Sequence, residues 1–346
     1  MTAGDLPTLG AADLRRAVLQ RQLLTARATH DVPGALTRVA SMQAQYAPTM
    51  YVGLWSRLAG FRRDDLTTAL EARHAVQGTM MRSTIHLAAA DDYWPLNLAI
   101  RASRQQWYLR SRGADEAVVR AAAARTRASF DDADVLHRRE LDLVAGAASD
   151  GIGLFVDLVR VPPSGTWDRR RADLFALAER WVGPPPEITV AAAWAHTVRH
   201  YLRGFGPATV NEIASWAGVN VGTVSATVRA MTLDRYRAAD GKMLVDLPGL
   251  EIPAAATPLP VRFIGNWEAL LLVHARRAAI LAEVDRPRIF GTRTPHSFST
   301  FLVDGVVTGT WRHEDGRILV DPWRALTATE RAAVDDEAAL LATFHT

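Results

Sequence analysis

The chain of 346 residues contains no cysteine. That excludes disulfides, thiol nucleophiles, cysteine-ligated zinc and iron–sulfur clusters together. Lysine is almost absent too: Lys242 is the only one, so nearly all positive charge is carried by arginine. Arginine's planar fork suits phosphates and base edges, although heavy arginine and alanine use is equally what a codon bias would produce. The net charge of +3 permits a nucleic-acid partner without requiring one. Uninterrupted apolar runs fall short of the ~20 residues that span a bilayer. Residues 1–7 lack the basic and apolar segments of a secretory signal, so cytoplasmic residence and no membrane partner are the expectation.

What is present is an ordinary globular composition, 49% hydrophobic and 22% charged, on a chain long enough for several compact units. Apolar residues recur at helical spacing over 13–24 and predict a second helix over 33–42, with Pro33 in its first turn. A third helix carries Val52, Leu54, Trp55 and Leu58, and Asp64 or Asp65 caps a fourth. Residues 79–87 alternate as a strand that places Arg82, Thr84 and His86 on one face. A helix follows over 92–112, then shorter helical patterns near Val118, Leu141 and Val156. Residues 161–167 form a turn, and residues 174–181 fit a strand or a helix equally. Pro184, Pro185 and Pro186 mark a linker.

Beyond the linker a helix spans 189–202. Its His196 and His200, four apart, have a metal-compatible spacing but no cysteine partner and no intervening HExxH glutamate, so no metal and no cofactor are expected. Thr209 and Glu212 form a capping box. Ala214, Gly218 and Val224 then supply the small residue, turn glycine and core aliphatic of a helix-turn-helix. Its second helix exposes Thr223, Ser225, Thr227 and Arg229. A hairpin turning at Asp240-Gly241 bears Arg235, Arg237 and Lys242, completing a winged helix for DNA, with a module used only for packing or protein contact as the lesser alternative. Strands over 298–303, 306–313 and 317–320 turn at Asp304-Gly305 and Asp315-Gly316, and Thr327 and Glu330 cap a last helix. The strands are expected to complete a small sheet or partial barrel with 261–264 and 280–289. The predicted class is α+β, mainly helical, with units over 1–113, 114–186, 187–255 and 256–346.

The segment Arg38-Val39-Ala40-Ser41-Met42-Gln43-Ala44-Gln45-Tyr46-Ala47-Pro48 begins as a helix that Pro48 is expected to stop. Two residues apart on a helix point about 200° away from each other. Gln43 and Gln45 can therefore share a target only where the chain frays or becomes extended. Otherwise they are surface polar residues.

Several stretches together resemble the winged-helix DNA-binding family that includes the AlkZ- and YcaQ-type bacterial DNA glycosylases. They are Arg21-Gln22-Leu23-Leu24, Met42-Gln43-Ala44-Gln45, residues 51–58, residues 81–87, Gly206-Pro207-Ala208-Thr209 and residues 303–311. The resemblance implies a C-shaped array of tandem winged helices with a small β-barrel, duplex DNA in the concavity, and catalysis by the Gln-x-Gln pair. Where that family often carries an acidic and aromatic segment before the barrel, this chain has Phe263-Ile264-Gly265-Asn266-Trp267-Glu268.

Two amides do not titrate near neutral pH, so they cannot act as general acid or base. They can hold a water below C1′ and hydrogen-bond the sugar or base. That suffices when the leaving group is already activated, as in a purine alkylated at N7 or N3, which is cationic and departs neutral. The expected protein is a monomeric, monofunctional glycosylase for such lesions, with Arg82, Thr84 and His86 supporting the site or facing solvent. The competing readings are a non-catalytic DNA-binding regulator, or a scaffold that does not bind DNA at all. A glycosylase-lyase needs an amine nucleophile, and only Lys242, in the wing turn, and the chain's α-amino group qualify. The product should be an intact abasic site, so denaturing electrophoresis should show strand scission only after added base.

Overall fold

Short apolar strands alternate with amphipathic helices and pair into three open sheets, in a computed structural model that describes residues 6–291 and 297–346. The chain begins with β1 (Thr8–Leu9), α1 (Ala11–Arg21), α2 (Val32–Arg38), β2 (Met42–Gln43), α3 (Ala47–Arg57) and α4 (Arg63–Glu71). It continues through β3 (Ala75–Thr79), β4 (Ile85–Ala89), α5 (Ala90–Arg112), α6 (Glu116–Ala128), β5 (Leu136–His137), α7 (Arg138–Ala145), β6 (Leu158–Arg160), β7 (Leu174–Leu177) and α8 (Ala178–Trp181). Three helices follow, α9 (Val190–Phe205), α10 (Val210–Ala217) and α11 (Val221–Ala230), then the hairpin β8 (Asp234–Ala238) and β9 (Met243–Asp246). The last part holds β10 (Arg262–Ile264), α12 (Arg277–Ile280), α13 (Arg286–Ile289), β11 (Thr300–Val303), β12 (Val306–Glu314), β13 (Arg317–Pro322) and α14 (Ala328–His345). The class is α+β, with about half the chain helical.

The largest sheet has the order β2-β4-β3-β6-β7-β5, so its strands come from both sides of residue 113. The second runs β1-β8-β9, with β1 parallel to β8 through Thr8↔Arg237 and Leu9↔Ala238. The third, β10-β11-β12-β13, is antiparallel and open: it is the small sheet that the strand pattern allowed, with β10 joining as expected, and not a barrel. Residues 280–289 were expected to add a strand, but that segment runs through helical turns from the end of α12 to α13. The hairpin turns themselves are as expected: Asp304-Gly305 and Asp315-Gly316 all have positive φ, the geometry of a tight two-residue hairpin.

Backbone sterics explain the other departures. Helix α2 ends at Arg38 because Ala40 and Ser41 turn the chain at φ 62° and 65°, which allows Met42 and Gln43 to enter the sheet as β2. Pro48 does not stop a helix. It sits in the first turn of α3, where its missing N–H costs nothing. The strand expected over 79–87 is interrupted by a 3-10 turn at Met81–Ser83, in which Arg82 and Ser83 take φ 55° and 56°. Asp65 does not cap α4 but accepts from the N–H of Arg62, the N-cap. The helix expected near Val156 is only a 3-10 turn over Ile152–Leu154 leading into β6. Residues 174–181 are both things in succession, β7 and then α8.

Polar groups buried in the core hold distant segments together. Arg21 donates to both oxygens of Asp246, at 2.7 and 2.6 Å, and to the Leu202 carbonyl at 3.0 Å. Its neighbour Gln22 donates to the carbonyls of Val39 and Gly204, at 2.8 and 2.9 Å, and accepts from Arg57. Arg57 in turn pairs with Glu268 at 3.1 Å. Burial pushes the Asp246 carboxyl up, against the pull of Arg21, so the pair stabilises the fold only while both members are present. Asp246→Ala should lower unfolding stability by about 3–5 kcal/mol in urea titration, because it strands a buried guanidinium.

Candidate active site

Extended backbone at β2 solves the geometric problem posed by the glutamine pair. Met42 and Gln43 pair with Leu87 and His86 of β4, and the N–H of Ala44 donates to the Ile85 carbonyl at 2.8 Å. The Gln43 side chain is 6% exposed, whereas Gln45, beyond the end of β2, is exposed. The two amides touch: Gln43 Nε2 donates to Gln45 Oε1.

The orientation of this pair follows from Arg82. Arginine can only donate, and its Nη2 lies 2.8 Å from Gln43 Oε1. Gln43 must therefore present its oxygen to Arg82 and its NH2 to Gln45. Gln45 then uses one lone pair of Oε1 as acceptor and keeps the other lone pair and its own NH2 free. Arg82 Nη1 donates to the Trp216 carbonyl at the end of α10, at 2.6 Å. Burial lowers the Arg82 pKa to about 10, so it remains a cation at neutral pH.

The 3-10 turn that presents Arg82 presses against the glycine after α10. Gly218 has φ 75°, and a Cβ there would come within 2.8 Å of Arg82 Cα. The position called for glycine as a turn residue needs it doubly, for its backbone angle and for this close approach.

His86 is fully buried, and burial first, then the neighbouring Arg82, lowers its pKa to about 3. Its Nδ1–H donates to the Thr84 carbonyl at 3.0 Å, leaving Nε2 bare towards Arg82 at 3.4 Å. It is a neutral acceptor here, not a proton shuttle. Thr84 Oγ donates to the Met81 carbonyl and closes the turn. Arg82, Thr84 and His86 thus come together as the alternation implied, although a turn, not one continuous strand, assembles them.

The residues expected to face DNA from α11 and the hairpin lie elsewhere. Thr223, Arg229, Arg235 and Lys242 are exposed, while Ser225, Thr227 and Arg237 are half-buried. Ser225 Oγ donates back to the Val221 carbonyl, Arg237 donates to the Gly241 carbonyl and Lys242 pairs with Asp240 at 2.7 Å. Among the described residues they share no hydrogen bond with the glutamine group.

Two features escaped the sequence. Thr49, in the first turn of α3, donates to Asn266 Oδ1, and Gly265 lets that loop pack directly on Thr49. Beside them a cleft of about 320 Å³ is lined by Tyr46, Trp167, Asn266, Trp311 and His345 among others. Its walls come from six separate parts of the chain, so no local spacing announces it.

A family pattern of sequence described as DNA glycosylase AlkZ-like matches residues 36–344. The chain belongs to the AlkZ-like DNA glycosylase family. Among solved structures it is similar to the Streptomyces sahachiroi DNA glycosylase AlkZ, with a TM-score of 0.82 at 20% sequence identity over 98% of this chain and 97% of that one. At that identity the likeness shows a shared fold. No curated protein sequence matches. Among the described residues no helix is long and apolar enough to cross a membrane.

Buried imidazoles make the folded state sensitive to acid. His86 and His274 both have pKa values depressed by burial. Below about pH 6.5 the unfolded chain takes up protons on them that the folded protein refuses, so the unfolded state is favoured as pH falls. Melting temperature should be flat from pH 8 to 7 and fall steadily from about pH 6 to 4 in scanning fluorimetry. His86→Gln should flatten part of that fall.

Proposed function

We propose that this family member is a monofunctional DNA glycosylase acting on double-stranded DNA as a monomer, releasing cationic N7- or N3-alkylated purines and leaving an abasic site. The observation that carries the reading is the Arg82–Gln43–Gln45 chain. A buried cation fixes the polarity of two neutral amides, and the exposed end of the chain retains one acceptor lone pair and two donors.

In this reading the Gln45 Oε1 lone pair accepts from a water poised below C1′, while its NH2 contacts the sugar or base. Cleavage breaks the C1′–N bond, and the electron pair neutralises the cationic purine. The oxocarbenium-like sugar is captured by the water, whose proton is then lost to solvent. No group touching the pair needs to titrate: His86 stays neutral, Arg82 stays charged and the amides do neither. The chemistry therefore depends on a leaving group prepared by alkylation. The α9–α11 unit with the β8–β9 hairpin serves as the winged helix that grips the duplex, through Thr223, Ser225, Thr227, Arg229, Arg235, Arg237 and Lys242, and phosphate contacts make binding salt-dependent. The aromatic cleft beside Tyr46 is where a displaced base or its adduct stacks, at the usual cost of a few kcal/mol for extrusion.

A DNA-binding regulator would have no use for an exposed amide end oriented by a buried arginine. The deciding experiment is incubation with methylated duplex DNA and chromatographic detection of free base. Wild type should release N7-methylguanine. Gln43→Ala and Gln45→Ala should slow single-turnover release by about 100-fold or more with DNA affinity within a few-fold. Absence of release by wild type, together with tight binding to one operator-like sequence, would overturn the reading. Arg82→Met should cost nearly as much as Gln43→Ala, since it frees the first amide to rotate.

A further inference from the structure

Behind the turn that precedes β2 lies a second polar group that the glycosylase chemistry does not use. Asp92 at the start of α5 and His196 and His200 on α9 bring one ligand atom each within 4.8 Å of one another. His196 Nε2 lies 3.0 Å and His200 Nδ1 3.7 Å from the same oxygen, Asp92 Oδ1. Neither ring nitrogen makes a hydrogen bond, although His200 is fully buried.

The outer faces of two of these side chains are held. His200 Nε2 is 3.0 Å from Ser41 Oγ, and Thr37 Oγ1 donates to Asp92 Oδ2 at 2.5 Å. The two imidazole rings stack with planes 18° apart, so both present an edge to the carboxylate. Groups oriented from behind, with unpartnered nitrogens converging in front, have the arrangement of a metal-ligand set and its supporting shell.

We propose that Asp92, His196 and His200 bind one borderline divalent cation, Zn2+ best matching the two nitrogens and one oxygen. Around a tetrahedral zinc with bonds of about 2.0–2.1 Å, ligand atoms sit roughly 3.3 Å apart, and the two measured separations straddle that value. Water supplies the fourth ligand from the side of His196, whose side chain is 32% exposed. The ion ties α5 to α9 and, through His200 and Ser41, to the backbone that becomes β2. Ser41, His200 and Asp92 also have the order of a hydrolytic triad, but Ser41 is 4% exposed and out of reach of a substrate. The sequence did not disclose the site because the third ligand comes from a helix far upstream of the histidine pair.

The test is metal titration of the full chain after chelation and dialysis, with Co2+ read by its visible absorption and Zn2+ by competition and by the rise in melting temperature. One equivalent should bind, with a tetrahedral Co2+ spectrum. His196→Gln, at a partly exposed position, and Asp92→Asn should each abolish stoichiometric binding, and Ser41→Ala should weaken it about 10–100-fold. No stoichiometric uptake by the wild type would overturn the proposal, as would binding unchanged in His196→Gln. Neither outcome bears on base release, so the glycosylase reading stands or falls separately.

Discussion

A buried guanidinium with no carboxylate beside it is the constraint around which the rest of this molecule is arranged. Among the described residues Arg82 makes no ion pair. Its hydrogen-bond partners are all neutral: the Gln43 amide oxygen, the Trp216 carbonyl and the bare nitrogen of His86. Removing such a charge from water is expensive, and the fall of its pKa to about 10 is a direct sign of that expense. Non-glycine residues at φ 55° and 56° add strain of roughly 1–3 kcal/mol each. The surrounding structure tolerates both because α10, the six-stranded sheet and the glutamine strand all contribute an acceptor or a wall. Each would lose part of its packing if the arginine left.

Neutrality is the complementary theme. A site built from amides, an unprotonated imidazole and backbone carbonyls has nothing to offer an ordinary nucleobase, whose departure requires protonation. Its capacity is positional: holding a water and a sugar in register. Under the proposed reading, such a site discriminates by the electronic state of its substrate more than by the base's outline.

Much of the architecture was legible in local patterns. The Thr209/Glu212 and Thr327/Glu330 capping boxes, the three Asp-Gly hairpins and the glycine at 218 all rest on rules that operate within a few residues, and all appear in the structure. The readings that failed turned on tertiary competition. Ala40 and Ser41 have no intrinsic reason to leave the helix, yet pairing of Met42 and Gln43 with β4 makes it worthwhile. Pro48 was given the right rule at the wrong end of a helix. Strand alternation brought Arg82, Thr84 and His86 together correctly, but could not show that a turn does the assembling. The aromatic cleft and the partners of Arg82 come from segments more than a hundred residues apart, and no window of sequence contains them.

The same separation has a temporal meaning. Arg21 finds its carboxylate only at Asp246, and β1 finds its edge only at β8. During synthesis, the first helix must wait until about seven tenths of the chain has emerged before its buried charge is neutralised. The opening segment therefore spends that interval with an unpaired arginine on a helix whose apolar face has no permanent partner. Long-range closure of this kind slows folding and leaves early segments exposed to wrong partners. Further closure waits for still later residues, since Arg57 finds its carboxylate only at Glu268.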